Sequence, residues 1–139
     1  MPLVSRLFFR TAILFLIGGI GIGLHMAMSQ DHTAAPAHAH INLLGWVTMA
    51  IFGVYYALNP VKAARRLALV QYGVYALGVL IMAPSLYLLM EGHTALEPLV
   101  GIASMITFAG VILFGVVVFT GDGKEREGVG RPLFASRPA

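Results

Sequence analysis

The pattern of apolar and polar positions divides the chain into four long apolar segments separated by short polar breaks. The segments cover about residues 7–28, 38–58, 67–90 and 98–120. Each is long enough to cross a hydrocarbon core of about 30 Å as a helix of about 20 residues. The breaks contain Gly, Pro, Asn and charged residues, which are typical of turns. The pattern therefore predicts an all-α integral membrane protein with one four-helix transmembrane domain at residues 1–120.

Composition supports this class. Of the 139 residues, 58% are hydrophobic and 11% are charged, whereas soluble domains average about 25% charged residues. The absence of cysteine excludes disulfides, iron–sulfur clusters and thiolate-ligated haem. Arg6 and Arg10 precede an apolar stretch without a small-residue cleavage site, so we interpret the first segment as a retained helix rather than a signal peptide. Residues 121–139 are polar and rich in Gly and Pro, and we predict a cytoplasmic tail.

The basic residues predict how the chain is oriented. All nine fall on one side of the predicted membrane: Arg6, Arg10, Lys62, Arg65, Arg66, Lys124, Arg126, Arg131 and Arg137. The two loops on the other side carry only Asp31, Glu91 and Glu97. The positive-inside rule then places both termini and the middle loop in the cytoplasm, in a bacterial-type inner membrane. Because topology accounts for the basic charge, the predicted partner is the lipid bilayer and not nucleic acid.

All five histidines fall on the outer, periplasmic side of this predicted topology: His25, His32, His38, His40 and His93. Ionisable residues inside a membrane are costly and usually mark a functional site. Since His38 and His40 enter the second apolar segment, we predict a metal or cofactor layer on this side. For His32 and His93, the competing interpretation is an ordinary histidine in a surface loop.

Helical geometry predicts that His38 and His40 face different neighbours, because residues two apart on a helix point about 200° from each other. The His38 face continues through small, polar and aromatic residues suited to tight packing: Asn42, Gly45, Met49, Gly53 and Tyr56. The His40 face continues as an apolar wall that suits lipid or a flat porphyrin: Leu44, Val47, Ile51 and Val54.

The glycines of the first segment also fall on two faces. Gly18, Gly21 and His25 share one face. Gly19 and Gly23 form a small-xxx-small pair, which predicts close packing of helices.

Residues 38–60, HAHINLLGWVTMAIFGVYYALNP, resemble a signature helix of haem–copper oxidase subunit I, which carries a His-x-His pair near its outer end. The run HINLL from His40 is similar to the second helix of nitric oxide reductase, where a His-x-Asn-Leu-Leu run carries a low-spin haem ligand. The resemblance implies that His40 binds a low-spin haem and that His38 binds a high-spin haem. Subunit I of these oxidases has twelve helices in three four-helix arcs, which implies that a homotrimer of this chain mimics the whole body.

The chain also departs from these families. An oxidase needs three further copper-binding histidines on two other helices, and the apolar segments contain none. The His-x-x-x-Tyr segment of the copper site is absent too. No Asp, Glu or Lys lies within a predicted span, so a proton path is not expected. Proton pumping is therefore not predicted, and catalytic turnover of oxygen or nitric oxide is left open.

The leading hypothesis is a membrane haem b protein that transfers electrons, from quinol or a small electron carrier, or binds O2 or NO at the outer side. His40 is the predicted axial ligand and His38 the second or adjacent ligand, with His25 and His93 as further candidates. The outer side has no arginine for the haem propionates. Asn42, Trp46, Gln30 and Thr33 are the predicted substitutes.

Two alternatives keep the histidines without haem. In the first, His25, His32, His93 and Asp31, with Met26 and Met28 nearby, hold copper or zinc at the periplasmic face of an accessory or assembly protein. Imidazole suits both metals, and thioethers suit Cu(I). Under this alternative His38 and His40 are also candidate metal ligands. In the second, the chain is a structural membrane subunit whose histidines line a partner interface.

Overall fold

The computed structural model describes residues 1–121, and this part of the chain is helical without strands. Its long helices are α1 (Leu3–Ser29), α2 (Ala35–Leu58), α4 (Arg66–Met90) and α5 (Glu97–Phe119), with a short α3 at Pro60–Ala63. The four long helices are apolar and long enough to cross a membrane, which confirms the coarse fold prediction. The predicted tail beyond residue 121 lies outside the described residues.

The second span begins three residues before its predicted start at His38. Ala35 opens α2 and Pro36 lies in the first turn, where a missing N–H removes no helical hydrogen bond. The span changes hydrogen-bond pattern along its length, from an α-helix at Ala35–His40 to a π-helix at Ile41–Thr48 and back to an α-helix at Met49–Leu58. The π-helical segment starts directly after His40.

Glycines bring the helices close together. An added Cβ on Gly78 of α4 would lie 2.6 Å from the backbone N of Thr107 in α5, and one on Gly110 of α5 would lie 2.8 Å from the Cα of Tyr75. An added Cβ on Gly19 of α1 would lie 2.6 Å from the Asn42 Oδ1 in α2. The backbones of α4 and α5 therefore approach too closely for a larger residue at Gly78 or Gly110, whereas Gly19 makes room for the Asn42 side chain. Close approach is the usual role of small residues in membrane helix packing.

An aromatic cluster fills the half of the bundle opposite to the histidines. Phe52 stacks on Phe114 with 4.1 Å between ring centroids and meets Tyr75 edge-on at 5.0 Å. Phe8 stacks on Tyr56 at 5.9 Å. Offset-stacked and edge-to-face rings are favourable geometries, so this cluster forms the core and ties α1, α2, α4 and α5 together.

Both ends of the described chain lie beside the α2–α4 connection. Pro2 and Leu3 line the same cavity as Pro60 and Ala63. The Lys62 Nζ donates to the Val118 carbonyl at 3.0 Å and to the Tyr55 hydroxyl at 3.0 Å. Lys62 therefore caps the C-terminal turn of α5, which has free carbonyls.

The outward surface of the bundle is apolar, with exposed side chains such as Leu14, Ile51, Ile102 and Phe108. In water this surface would be costly, whereas lipid accepts it without penalty. The apolar helices thus indicate a multi-pass membrane protein in contact with the bilayer.

Candidate haem or metal site at the histidine end

The five histidines lie at the same end of the helical bundle. His25 is four residues from the end of α1 at Ser29, and His38 and His40 lie in the first turns of α2. His32 and His93 lie in the two connections at this end and are exposed. The polypeptide therefore brings the histidines to one layer, although it separates them laterally.

His40 presents an unpaired ring nitrogen on an apolar surface. Its Nδ1 lies 2.8 Å from the Pro36 carbonyl, and because a carbonyl only accepts, Nδ1 is the protonated nitrogen. In the neutral ring the lone pair then lies on Nε2, which has no hydrogen-bond partner among residues 1–121. Histidines that bind metals are commonly fixed in this way, with the second nitrogen donating to a backbone carbonyl.

The surroundings of His40 are open and mostly apolar. The residue is exposed and lines a cavity of about 290 Å³ between α2, α4 and α5. The other lining residues are Leu44, Met82, Ser104, Thr107, Phe108 and Val111. Val47, Ile51 and Val54 continue this exposed apolar face along α2, as the sequence pattern predicts.

His38 points the other way, into the contact between α1 and α2. Its Nδ1 donates to the Gly19 carbonyl at 2.9 Å, and an added Cβ on Gly23 would lie 2.9 Å from its Cε1. The residues that share this face of α2 are buried, at Gly45, Met49, Gly53 and Tyr56. The prediction that the two histidines face different neighbours is confirmed, and the Gly19–Gly23 pair packs against α2 as predicted.

The cofactor-binding candidates Asn42 and Trp46 lie deeper in the span. The Asn42 Nδ2 donates to the His38 carbonyl at 2.9 Å and lies 3.4 Å from both His38 ring nitrogens. Trp46 is half-buried against the aromatic core, in the π-helical segment of α2. Asn42 therefore supports the position of His38, and Trp46 lies deeper in the span than either residue; its predicted role beside haem propionates stays a prediction.

His25 lines a groove of about 540 Å³ between α1 and α4. Gly18 and Gly21 form its floor on α1, with nothing within 4 Å of an added Cβ. Pro84 and Tyr87 lie on the α4 side. The His25 side chain makes no hydrogen bond with residues 1–121, so its imidazole is free to bind a ligand.

The polar loop around Asp31 is organised by its own side chains. Asp31 Oδ1 accepts from the Thr33 N–H at 2.9 Å and from the Thr33 hydroxyl at 2.6 Å. These hydrogen bonds, with the nearby charges of His32 and His25, lower the pKa of Asp31 below its usual value. Within residues 1–121, no three His, Asp or Glu side chains lie close enough to hold one metal ion.

The π-helical segment at Ile41–Thr48 is a feature that the sequence pattern missed. The Tyr75 hydroxyl donates to the Leu44 carbonyl at 3.1 Å, and the Thr48 hydroxyl donates to the Leu43 carbonyl at 2.7 Å. π-Helical turns occur frequently at functional sites. Its apolar sequence INLLGWVT carries no proline or other residue that distinguishes it from an α-helix.

Comparison of the chain with protein-family models, curated proteins and solved structures finds no match. The resemblance of residues 38–60 to oxidase and reductase helices therefore stays a prediction.

Proposed function

We propose that the protein is a membrane haem b protein in which His40 is an axial ligand. The observation that supports this most strongly is the orientation of the His40 ring. Its Nδ1–H is held by the Pro36 carbonyl, while Nε2 has no hydrogen-bond partner among residues 1–121 and the ring lines a mostly apolar cavity. A hydrogen bond from the far nitrogen of a ligating histidine fixes the tautomer and raises its basicity. His40 thus has the chemistry of a metal ligand before any metal is bound.

The apolar wall beside His40 fits the rest of a porphyrin. Leu44, Val47 and Ile51 are apolar and partly or fully exposed, so a flat ring against them displaces lipid and exposes no polar group. These residues would exclude water from a bound haem, and burial of the cofactor is one of the factors that set its potential. A haem supplies one-electron chemistry and, where one axial position is open, binding of O2 or NO.

The other predicted site residues take different parts in this proposal. His38 and Asn42 orient the first turns of α2 against Gly19 of α1. His25 has a free imidazole in its own groove and is the best placed further ligand. His93 lies in the exposed α4–α5 connection. Gln30 and Thr33 lie in the exposed α1–α2 connection, where their side chains would be available to the propionates of a bound haem.

The orientation in the membrane follows from charge. The described basic residues Arg6, Arg10, Lys62, Arg65 and Arg66 lie in the segments away from the histidine end, and Asp31, Glu91 and Glu97 lie near it. The positive-inside rule supports a cytoplasmic location for both termini and a periplasmic location for the histidines. Electron donors such as quinol or a small carrier would then meet the protein on the outer side.

The proposal is tested on the full chain purified in mild detergent after expression with haem supplied. We expect a Soret band and sharp α and β bands after reduction with dithionite, and a loss of haem in His40→Ala but not in the exposed control His32→Ala. A colourless wild-type protein refutes the proposal, and copper or zinc found in that sample by metal analysis supports the accessory-protein alternative. Equal haem content in His40→Ala and wild type refutes the role of His40.

A further inference from the structure

The groove beside His25 forms one half of a binding site, called a half-site below, which one copy of the chain leaves incomplete. It is lined almost entirely by apolar residues, and its volume of about 540 Å³ falls in the range of ligand pockets, about 300–1,000 Å³. Its floor is open because nothing lies within 4 Å of an added Cβ at Gly18 or Gly21. The space beside Gly19 and Gly23 of the same helix is instead occupied by side chains of α2. The groove offers one imidazole and a flat apolar floor.

His40 is the complementary half-site, with a nitrogen lone pair and an apolar wall but no groove deep enough to enclose a porphyrin. The cavity that it lines measures about 290 Å³. The two histidines lie at similar distances from the ends of their helices. His25 is four residues from the end of α1 and His40 five residues from the start of α2, which corresponds to about 6 Å and about 7.5 Å at 1.5 Å per residue.

Within one chain these half-sites lie on different sides of α2. The α1–α4 groove receives Ile41 of α2, whereas His40 lines the cavity formed with Met82 of α4 and Thr107 of α5. The two imidazoles therefore open toward different neighbours. An interface that joins two different faces of identical chains is head-to-tail, and such interfaces close into rings when the rotation allows.

We infer that each haem lies between two copies of the chain, with His40 of one copy and His25 of the next as its two axial ligands. This inference rests on the proposed haem-binding function. The α1–α4 groove of one copy encloses the porphyrin, and the apolar face of α2 from the next copy covers it. A bis-histidine site of this kind is typical of electron transfer, because no axial position is left for a gas.

Mixed oligomers test this arrangement. His25→Ala and His40→Ala chains are produced separately and then together, with different affinity tags, and the mixed species is isolated by both tags in succession. We expect each variant alone to lose the six-coordinate low-spin spectrum. The mixed oligomer regains it, since His40 of one chain meets the intact groove of the other. In a three-membered ring about one boundary in three is restored.

The outcomes separate this inference from the proposed function. A haem-free wild-type protein refutes both. A wild-type protein with haem whose spectrum is unchanged in His25→Ala refutes the pairing alone. Mixed oligomers that stay without the six-coordinate spectrum also refute it, because two ligands from one chain are never restored by mixing these variants.

A second variant tests the groove without touching a ligand. Gly21→Leu places a side chain in the open floor of the α1–α4 groove, where it meets nothing of its own chain within 4 Å of its Cβ. We expect it to fold and to lose the six-coordinate spectrum. Gly73→Leu is the matched control, because Gly73 of α4 is equally open but lies outside the groove. A wild-type spectrum in Gly21→Leu contradicts the inference.

Discussion

The closest approach of α4 and α5 at Gly78 makes a quantitative prediction for the stability of the bundle. In Gly78→Ala the new Cβ would contact the Thr107 hydroxyl and lie 2.6 Å from the Thr107 backbone N and 2.9 Å from its Cα. Ordinary contact begins at 3.4 Å. The hydroxyl could rotate away, but the backbone atoms cannot, so the helices must separate by about 0.8 Å at this point, the difference between these two distances.

The expected cost of this separation is about 1–3 kcal/mol, the usual range for overpacking a well-packed interior. Replacing Gly by Ala in a helix also contributes a favourable propensity of about 1 kcal/mol. Gly73→Ala is the control that isolates the contact, because it makes the same change on the same helix with nothing within 4 Å of the new Cβ. The propensity gain therefore cancels in the difference between the two variants.

The measurement is reversible unfolding of each variant in detergent micelles titrated with SDS, followed by far-UV circular dichroism and by the fluorescence of Trp46, the only tryptophan of the chain. We expect Gly78→Ala to be less stable than Gly73→Ala by about 1–3 kcal/mol. A difference below about 0.5 kcal/mol, within the range of neutral surface substitutions, would refute the packing argument for α4 and α5.

Two further predictions concern polar side chains. Gln71 is fully buried; it accepts a hydrogen bond from the Tyr56 hydroxyl at 3.3 Å and donates one to the Gly110 carbonyl at 3.2 Å. Gln71→Met should lower the unfolding free energy by about 1 kcal/mol in the same assay, because membrane hydrogen bonds average about 0.6 kcal/mol each. No loss of stability relative to the exposed control Leu69→Met would contradict this. Since hydrogen bonds from Thr33 lower the pKa of Asp31 from 3.8, Asp31 stabilises its loop above that pH and loses the effect as the pH falls through its folded pKa. Thr33→Val should raise the Asp31 pKa in an NMR titration, because it removes the hydroxyl bond and leaves the backbone N–H bond in place. An unchanged pKa would show that the Thr33 hydroxyl does not stabilise the carboxylate.

The spans and their faces could be predicted from sequence because they depend on local pattern. The four helices end within a few residues of the predicted limits. The largest differences are at the starts of α1 and α2, which begin at Leu3 and Ala35, before the predicted residues 7 and 38. Exposed Arg6 lies within α1, and Pro36 lies in the first turn of α2. The burial of the His38 face and the exposure of the His40 face follow directly from the helical period.

Other features depend on packing between distant segments and have no local pattern. Lys62 was predicted only as a cytoplasmic loop charge, yet it is buried and caps α5 at Val118. The open groove beside His25 depends on how α4 approaches α1. In the π-helical segment, the Leu44 carbonyl accepts a hydrogen bond from Tyr75, 31 residues away. The composition of one segment does not encode these contacts.

The most direct test of the central claim is ligand rescue at His40. In His40→Gly the imidazole is removed, and the haem content and reduced spectrum are recorded with and without free imidazole in the buffer. If His40 binds the iron, the variant loses the six-coordinate spectrum, and added imidazole restores it. A variant that keeps the wild-type spectrum without imidazole would show that His40 is not a ligand.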